Sequence, residues 1–410
     1  MSDALAPLPT EAQLRFGWMR DPRLGKIVAA LTAHDASAVR FVGGCVRDSL
    51  LGAAPKDIDL ATTLTPDRVI DALHAAGLAA APTGIDHGTV TAIADHFPVE
   101  VTSLRADVTT DGRRATVAYT TDWSTDARRR DFTINALYVT PDLQLFDPAG
   151  GVGDLANRRV RFIGAAEERI REDYLRILRF FRFSARFARA FDIDGLAACT
   201  AMRAGIKRLS AERVGDELFK ILTLSDAARA VEAMHGASIL AEIWPAAPAI
   251  ETLRRLKELT PEAPPALGLA ALWGADGEGV DAHLRASNAD GRRRRRAVEC
   301  ASSVAPDLSE QAIRALIYRY GADGFRDALL LARARSMQDF ARHEEVAVTF
   351  RPPALPFSGH DVLAAGAPEG PRVAAVLASA EARWIAEDFP PSSRAKAILA
   401  EEIARAISTG

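Results

Sequence analysis

The stretch at residues 41–62, FVGGCVRDSLLGAAPKDIDLAT, is the feature that most constrains the fold. The apolar run at residues 38–44 ends in two glycines, which predicts a short strand closed by a glycine turn. The next residues, CVRDSLLG, predict one or two helical turns, and KDIDLATT predicts a return to a strand. Such close alternation of strand and helix predicts a mixed α/β domain.

Two aspartates lie in the second predicted strand. Side chains at positions i and i+2 of a strand point to the same face, so Asp57 and Asp59 project together while Ile58 turns toward the core. Two neighbouring carboxylates repel each other unless a cation lies between them, and oxygen ligands favour Mg²⁺. An Asp-x-Asp pair alone is more often solvated than metal-bound, so the prediction of a magnesium site depends on its neighbours.

The glycine turn supplies those neighbours. Gly43 and Gly44 lack a Cβ, so their backbone N–H groups can approach a phosphate, and the start of the following helix adds its dipole. Arg47 on that helix can donate two hydrogen bonds to triphosphate oxygens, and Asp48 is expected to brace an arginine. A phosphate cradle, an arginine and a carboxylate pair together predict phosphoryl or nucleotidyl transfer.

A second motif, REDYLRILRFFRF at residues 171–183, indicates which base such a site would select. On a continuous helix, Glu172, Arg176 and Arg179 share one stripe, and Asp173 lies one turn before Arg176. A carboxylate accepts hydrogen bonds and a guanidinium donates them. Cytosine and adenine both place an amino donor beside a ring-nitrogen acceptor, so an Asp/Arg pair can accept both and reject G and U. The alternative is a surface ion pair on an amphipathic helix.

The remaining pattern divides the 410 residues into a mixed head and a helical remainder. Residues 65–77 predict a helix, residues 88–107 a hairpin, residues 105–126 a loop with one strand, and residues 127–139 the opening of another helix. From about residue 151 the pattern is helical. We therefore expect an α+β fold with head 1–150, neck 151–220, body 221–300 and tail 301–410.

Composition excludes some classes and leaves others open. We expect no membrane span and no secretory signal, and the three cysteines, widely spaced and odd in number, indicate reduced thiols in a cytoplasm and no cysteine-ligated zinc. The formal net charge is −3, but residues 151–213 hold 14 Arg/Lys and eight Asp/Glu, a local charge of +6. A basic segment in a mildly acidic chain suits contact with an RNA backbone, and a solvated helix face is the alternative.

Five motifs in order resemble the class II tRNA nucleotidyltransferase family, which contains CCA-adding enzymes and bacterial poly(A) polymerases of the polymerase-β-type superfamily. They are GGCVRDSLLGAAPKDIDL, RRDFTINAL (residues 129–137), DPAGGVGDL (147–155), EDYLR with Arg179 and Arg182, and ERVGDE from Glu212. They span residues 41–217, about half of the chain. The resemblance implies a nucleotidyltransferase head followed by an all-helical neck, body and tail.

The resemblance also implies a role for individual residues. Asp57 and Asp59 would bind Mg²⁺, with Glu100 as a possible third carboxylate. Base reading would fall to Asp173 and Arg176, and bracing to Asp48, Glu172, Glu212 and Arg213. The residues placed on the nucleotide are Gly43, Gly44, Arg47, Arg129, Arg130, Asp131, Asn135, Asp173, Arg176, Arg179 and Arg182.

Within the family, the length of the 105–126 segment and the phrase TGIDHGTVT favour addition of CCA to tRNA from CTP and ATP. The partners would be the acceptor and TΨC arms of tRNA, with no membrane and no DNA. Poly(A) addition and partial (CC or A) addition remain alternatives, as does a non-catalytic RNA-binding module. The arginine run 292–296 is expected to begin a helix with only some arginines near RNA, and the His-Asp dipeptides at 34–35 and 360–361 give little support to a metal phosphohydrolase.

Overall fold

The computed structural model describes residues 5–106, 118–365 and 370–408. The central part of the predicted 105–126 loop, residues 107–117, therefore lies outside the described residues. The described ends of this segment differ from the prediction of one strand in a loop, because two short strands pair there and a helix begins at Trp123.

Ten strands lie in the described residues. They are β1 Ala6–Pro7, β2 Val39–Val42, β3 Asp59–Thr62, β4 Ala79–Gly84, β5 Thr89–Ala94, β6 Phe97–Ser103, β7 Arg105–Ala106, β8 Ala118–Tyr119, β9 Tyr138–Val139 and β10 Gln144–Phe146. Eight of these described strands form one sheet in the order β1-β10-β9-β2-β3-β6-β5-β4, and β7 pairs with β8 separately. Among the described strands of this sheet, the neighbours β3 and β6 are parallel and the other neighbouring pairs are antiparallel.

The strand–turn–helix start of the fold follows from its residues. All four residues of β2 (VRFV) are buried, which suits β-branched and aromatic side chains in a central strand. Gly43 then takes a φ of 71°, a conformation that favours glycine, and a helix begins at Gly44. The hairpin of β5 and β6 turns at Asp95 and His96, both with positive φ, and confirms the prediction for residues 88–107.

Helices cover most of the rest. They are α1 Thr10–Gln13, α2 Pro22–Thr32, α3 Gly44–Leu50, α4 Pro66–Ala75, α5 Trp123–Arg128, α6 Gly151–Ala156, α7 Ala166–Glu172, α8 Leu175–Phe187, α9 Ile193–Met202, α10 Ala211–Leu222, α11 Ala227–Gly236, α12 Ile239–Ile243, α13 Ile250–Leu259, α14 Pro265–Trp273, α15 Val280–His283, α16 Asn288–Ala301, α17 Glu310–Ser336, α18 Ala341–Thr349, α19 Gly359–Ala364, α20 Pro371–Ala386 and α21 Ser392–Ser408. No helix of the described ranges is long and apolar enough to cross a membrane.

Two predicted helices are corrected by the structure. Residues 127–139 do not form a helix: α5 ends at Arg128, a single 3₁₀ turn follows at Thr133–Asn135, and β9 begins at Tyr138. The segment 171–183 is not one continuous helix, because α7 ends at Glu172 and the backbone of Asp173 is extended. The prediction for 65–77 is confirmed by α4, which starts with Pro66 after Thr65.

The chain divides into two compact units. The first contains residues 1–210 and 233–243, and the second contains residues 211–232 and 244–410. The first unit holds the sheet, whose core on the α5 side includes Val42, Trp123, Tyr138 and Phe146. In the second unit, α20 and α21 pack around Trp384.

The five arginines at 292–296 lie within α16, as the prediction of a helix requires. Arg294 is buried and pairs with Asp281, Arg295 pairs with the same aspartate, and Arg293 pairs with Asp327. Arg296 donates to the Tyr320 carbonyl oxygen. Four of these five arginines therefore bind groups within the second unit itself.

The His-Asp dipeptides have local structural explanations. Asp361 forms a capping box with Ser358 at the start of α19, and Asp35 accepts hydrogen bonds from Ser37. The three cysteines are buried and unbridged.

Candidate active site

The two aspartates predicted to bind metal lie at the N-terminal end of β3. Asp59 is the first residue of β3 and stands opposite Glu100 of β6 in the parallel register. Asp57 precedes the strand and is exposed, so it lies outside the strand in which the sequence placed it. Burial, the charge of Glu100 and the charge of Asp57 raise the pKa of Asp59 to about 6, although the Arg130 charge opposes them.

The repulsion of Asp59 by Glu100 and Asp57 is the observation that fits a divalent cation. Three carboxylates influence one another here, and hard oxygen ligands of this kind suit Mg²⁺. No group of three or more His, Cys, Asp or Glu in the described part of the chain is already arranged to hold a metal ion. The site is therefore a pair of aspartates with Glu100 as a neighbour, and the side chains would need to converge on the ion.

The glycine turn lies beside these carboxylates. Leu60, next to Asp59, pairs with Phe41 of β2, so the turn that follows β2 runs alongside the start of β3. A Cβ built at Gly43 would lie 3.8 Å from Nη1 of Arg130. The Gly43 N–H donates to the Leu137 carbonyl oxygen (3.1 Å), which corrects the expectation that this amide faces a phosphate. Gly44 begins α3.

Arg47 occupies a different position from the one expected. Its side chain is only 6% exposed, and it donates to Asp48 (Nε to Oδ1, 2.8 Å) and Asn135 (Nη1 to Oδ1, 2.6 Å). The rings of Phe183 and Phe187 lie 5.4 and 4.3 Å from its guanidinium carbon. Burial lowers the pKa of Arg47. The structure thus gives Arg47 the contacts of a brace, and its binding to triphosphate stays a prediction.

A chain of polar contacts extends from Arg47 to the neck. Asn135 Nδ2 donates to Asp131 (3.0 Å), and Asp131 accepts from Nε of Arg179 on α8 (2.7 Å). Despite burial, the pKa of Asp131 is lowered, chiefly by the charge of Arg179. We define the polar chain as Asp48, Arg47, Asn135, Asp131 and Arg179. It joins three motifs that are far apart in sequence, and it makes Asp131 and Asn135 structural partners of two arginines.

Arg129 and Arg130 share one buried acceptor, Asp126. Arg130 donates to Asp126 (Nη2, 3.0 Å) and to the Tyr138 hydroxyl (3.0 Å), and Arg129 donates to the other carboxylate oxygen of Asp126 (Nε, 2.8 Å). Burial opposes the charge on Asp126, but the two arginines outweigh it and lower its pKa to about 2. Arg130 is held between this aspartate and the glycine turn.

The residues predicted to read the base lie at the break between α7 and α8. Asp173 is half-buried and accepts the Leu175 N–H (3.1 Å). Arg176 pairs with Glu172 (2.5 Å), and the bracing role of Glu172 stays a prediction. Arg176 also donates to the Arg129 carbonyl oxygen (2.8 Å). Asp173 lies between the end of α7 and the start of α8, and Arg176 lies in the first turn of α8. The two residues are therefore close in the chain but do not lie on one continuous helix.

The remaining neck arginines lie on α8. Arg179 binds Asp131, as described above. Arg182 packs over the ring of Phe183 (4.4 Å), and Arg186 reaches Asp48 (3.4 Å). The pairing of Asp48 with arginines agrees with its expected bracing contact. Together these contacts fix α8 against the glycine-turn helix and the second motif.

Glu212 and Arg213 lie in the first turn of α10, which belongs to the second unit. Glu212 is exposed and lies 3.6 Å from Arg285 of the same unit. Their predicted bracing of the nucleotide-reading helix stays a prediction.

Sequence reasoning missed Asp126, Tyr138 and Arg186. Asp126 lies three and four positions before Arg129 and Arg130, so helical ion-pair spacing could have identified it. Tyr138 and Arg186 reach their partners across the fold, and no local spacing indicates those contacts.

A cleft of about 1080 Å³ opens beside the carboxylates. Its lining includes the acidic residues Asp57, Asp59 and Glu100 together with Arg15, Trp18 and Lys56. Acidic, basic and aromatic side chains therefore meet in one concave surface, as in sites that bind polar ligands.

Two family models match parts of this chain. Residues 39–161 match the family model of the Poly A polymerase head domain, and residues 190–250 match the probable RNA and SrmB- binding site of polymerase A. The chain is 46% identical over 202 residues to the mitochondrial CCA tRNA nucleotidyltransferase 1 of Mus musculus, covering 48% of this chain and 46% of the relative. It is 41% identical over 194 residues to the CCA-adding enzyme of Oceanobacillus iheyensis, covering 47% and 48%.

The match to a third relative is longer. The mitochondrial CCA tRNA nucleotidyltransferase 1 of Danio rerio is 40% identical over 260 residues, which are 61% of this chain and 60% of the relative. The chain therefore aligns with about half to three fifths of the length of the curated relatives it matches.

Solved structures show the same fold. The CCA-adding enzyme of Bacillus stearothermophilus in complex with CTP superposes with a TM-score of 0.75 at 23% identity, covering 95% of this chain and 99% of that one. The CCA-adding enzyme of Thermotoga maritima complexed with tRNA_CCA gives 0.67 at 18% identity, covering 99% and 100%. The predicted fold, a nucleotidyltransferase head followed by helical regions, is confirmed.

Proposed function

We propose that the chain is a member of the class II tRNA nucleotidyltransferase family and that it adds CCA to the 3′ end of tRNA from CTP and ATP without a nucleic-acid template. The observation that carries this proposal is the polar chain. It joins the glycine-turn helix, the second motif and α8 through contacts of 2.6 to 3.0 Å. The polar chain thereby holds the glycine-turn helix against α8, the helix that follows the proposed base-reading residue Asp173, within one compact unit.

The proposed reaction is displacement at the α-phosphorus of the incoming nucleotide. A bond forms between the 3′ oxygen of the tRNA and the α-phosphorus, and the bond from that phosphorus to the oxygen bridging the β-phosphate breaks. The hydroxyl proton leaves to solvent and pyrophosphate is released. Arg130, which lies beside the glycine turn, would orient the phosphates, while Asp126 and Tyr138 hold its guanidinium in place.

Asp57 and Asp59 would hold Mg²⁺, with Glu100 close enough to contribute a carboxylate. When bound, the metal would lower the pKa of the attacking 3′ hydroxyl of the tRNA and neutralise the charge that develops on the phosphates. Burial raises the pKa of Asp59, the charges of Glu100 and Asp57 raise it further, and a bound divalent cation would favour the ionised carboxylate. We assign the wider family's use of divalent metal to these residues.

Base selection would use Asp173 and Arg176. The carboxylate of Asp173 can accept a hydrogen bond from the exocyclic amino group that cytosine and adenine share. Arg176 can donate to the neighbouring ring nitrogen, and its contacts with Glu172 and the Arg129 carbonyl group fix its direction. Arg179 and Arg182 would contact phosphate or ribose.

We extend the proposal to the organisation of the whole molecule. The head (1–150) and neck (151–220) would hold the chemistry, and the body (221–300) and tail (301–410) would grip the acceptor and TΨC arms of tRNA by backbone and shape. No membrane or DNA is part of this proposal. A cytoplasmic location remains a prediction, since the mouse and zebrafish relatives carry a mitochondrial name.

An incorporation assay tests the proposal. A tRNA transcript that ends at its discriminator base is incubated with Mg²⁺ and with CTP, ATP or both, and each product length is read on a sequencing gel. We expect two added residues with CTP alone and three with both nucleotides. Long adenylate tails would favour the second candidate, a poly(A) polymerase, which the description of the matched head model supports. Binding of the transcript without any addition would leave only an RNA-binding module.

A further inference from the structure

We infer that Tyr174 is a positioning residue for base selection: its ring packs in a notch over Gly205 and so holds the adjacent Asp173 in the conformation that reads the base. This inference rests on the proposed function, in which Asp173 selects the nucleotide. We define the tyrosine notch by Tyr174, Gly205 and Arg208, all of which lie in the first unit.

The break between α7 and α8 is not enforced by the local sequence. Residues 171–183 contain no glycine or proline, and their helical pattern runs through the break. Asp173 is nevertheless extended (φ −153°, ψ 107°), and Tyr174 returns to helical angles (φ −62°, ψ −16°). The contact from the Leu175 N–H to the Asp173 carboxylate (3.1 Å) permits such a break. A contact with another part of the fold is needed to hold it in one place.

Gly205 provides that contact, because it makes room for the Tyr174 ring. A Cβ built at Gly205 would lie 1.9 Å from both Cδ1 and Cε1 of Tyr174, so the ring lies directly against the glycine backbone. Gly205 is buried, and the guanidinium carbon of the exposed Arg208 lies 5.6 Å from the ring centroid. A larger residue at position 205 would have to displace the ring, and with it the neighbour of Asp173.

The glycine side of the tyrosine notch is anchored within the first unit. Gly205 lies in the 3₁₀ segment Arg203–Arg208. Glu242 of α12 pairs with Lys207 (3.0 Å) and with Arg203 (3.7 Å) of this segment. The side chain of Glu242 is only 16% exposed, so these ion pairs are shielded from solvent better than surface pairs. The notch is therefore a fixed surface against which the ring can set the conformation of the break.

The other base-reading residue, Arg176, is held from α7. It pairs with Glu172 and donates to the Arg169 carbonyl oxygen (2.9 Å). These contacts fix the guanidinium, whereas the backbone of Asp173 is fixed through its neighbour Tyr174. The carboxylate and the guanidinium must match the spacing of an amino group and a ring nitrogen on one base. That spacing therefore depends on the position of the Tyr174 ring.

Nucleotide binding by the full-length protein tests this role. Dissociation constants for CTP and UTP are measured with Mg²⁺ present, and their ratio gives the selection without requiring addition. Tyr174→Ala and Gly205→Ala should each lower the preference for CTP about tenfold, because the Asp173 carboxylate loses its fixed position. Tyr174→Phe keeps the ring and should keep the wild-type ratio. So should the matched control Gly236→Ala, since a Cβ there meets none of the described atoms within 4 Å.

The double variant separates the notch from general damage to the fold. In the wild-type background, Gly205→Ala should lower the melting temperature by about 5 °C through overpacking. In the Tyr174→Ala background it should change neither the melting temperature nor the selection, because the ring that it would meet is gone. Equal effects of Gly205→Ala in both backgrounds would overturn the inference. So would a wild-type preference for CTP in Tyr174→Ala or in Gly205→Ala.

The two proposals can fail separately. If the wild-type protein prefers CTP in binding but adds no nucleotide to tRNA, the proposed function fails, and the binding ratios of the variants still decide the role of Tyr174. If the protein adds CCA and Asp173→Ala relaxes selection while Tyr174→Ala does not, only the role of Tyr174 fails. A wild-type protein without any preference for CTP would contradict both.

Discussion

At the scale of single residues, Asn135 connects the two halves of the candidate site. Its side-chain oxygen Oδ1 accepts a hydrogen bond from Arg47, and its side-chain nitrogen Nδ2 donates one to Asp131. The contact with Arg47 joins positions 88 residues apart. Both partners are buried and charged. A buried charge that loses its partner is strongly unfavourable, so the integrity of the polar chain depends on this one amide.

Asn135→Ala should therefore lower the free energy of unfolding by about 3 kcal/mol, because it leaves Arg47 and Asp131 each short of a buried partner. The matched control is Asn157→Ala. The exposed amide of Asn157 donates to the Gly153 carbonyl oxygen (2.9 Å), and its loss should change stability by less than about 0.5 kcal/mol. Urea denaturation of both variants measures the difference. Equal midpoints for the two variants would show that the polar chain does not stabilise the fold.

The role proposed for Asp173 is selection of the nucleotide base. Asp173→Ala should let UTP or GTP compete with CTP, since the acceptor for the exocyclic amino group is lost, and the rate with CTP should fall by about tenfold to a hundredfold. Single-turnover addition with each of the four nucleotides measures the selection. Glu167→Ala, on the exposed first turn of α7, is the control and should leave the selection unchanged. Unchanged nucleotide choice in Asp173→Ala would remove this residue from base reading.

At the scale of elements, the third motif positions a helix rather than a substrate. Asp147 accepts the N–H groups of Gly151 (2.7 Å) and Val152 (2.9 Å) at the start of α6. Asp154 of that helix accepts from Thr133 and from Arg161. The helix packs against the 3₁₀ turn at Thr133–Asn135, and that turn presents Asn135 to the polar chain.

Gly151 and Gly153 of α6 provide a matched pair of variants. A Cβ at Gly151 would lie 2.2 Å from the Thr133 carbonyl oxygen, whereas a Cβ at Gly153 meets no atom within 4 Å. Gly151→Ala should destabilise the protein by about 2 kcal/mol or more through overpacking against backbone. Gly153→Ala should be neutral or stabilise by up to about 1 kcal/mol, because alanine favours the helix. Thermal denaturation distinguishes the two, and a larger loss in Gly153→Ala would contradict this packing.

The elements also show where sequence reasoning succeeds and fails. The β2 strand, the glycine turn and α4 follow from local residues such as Gly43, Thr65 and Pro66, because each acts on its own backbone. The break at Asp173 could not be seen, since REDYLRILRF has a helical pattern throughout. Arg47 was placed on the nucleotide from its position in the motif, and only the fold reveals that Asp48 and Asn135 engage its guanidinium.

At the scale of the whole molecule, the carboxylates and the site residues of α7 and α8 fall in the first unit, whereas Glu212 and Arg213 fall in the second. The sequence correctly predicted a mixed α/β head followed by helical regions, because strand, turn and helix patterns are confined to the first 150 residues and helical patterns follow. It could not predict which arginines bind within the protein. The run 292–296 illustrates the limit: Arg293, Arg294 and Arg295 are each paired with an aspartate that is distant in sequence.

The central claim is that one site places catalytic carboxylates beside a protein surface that reads the base. A crystal structure of the full-length protein with CTP and Mg²⁺ tests it most directly. We predict the triphosphate beside Gly44, Arg130 and the Asp57/Asp59 pair, with the cytosine amino group within about 3 Å of the Asp173 carboxylate. A cytosine ring remote from the turn at 173–176, or phosphates remote from Asp57 and Asp59, would contradict the account.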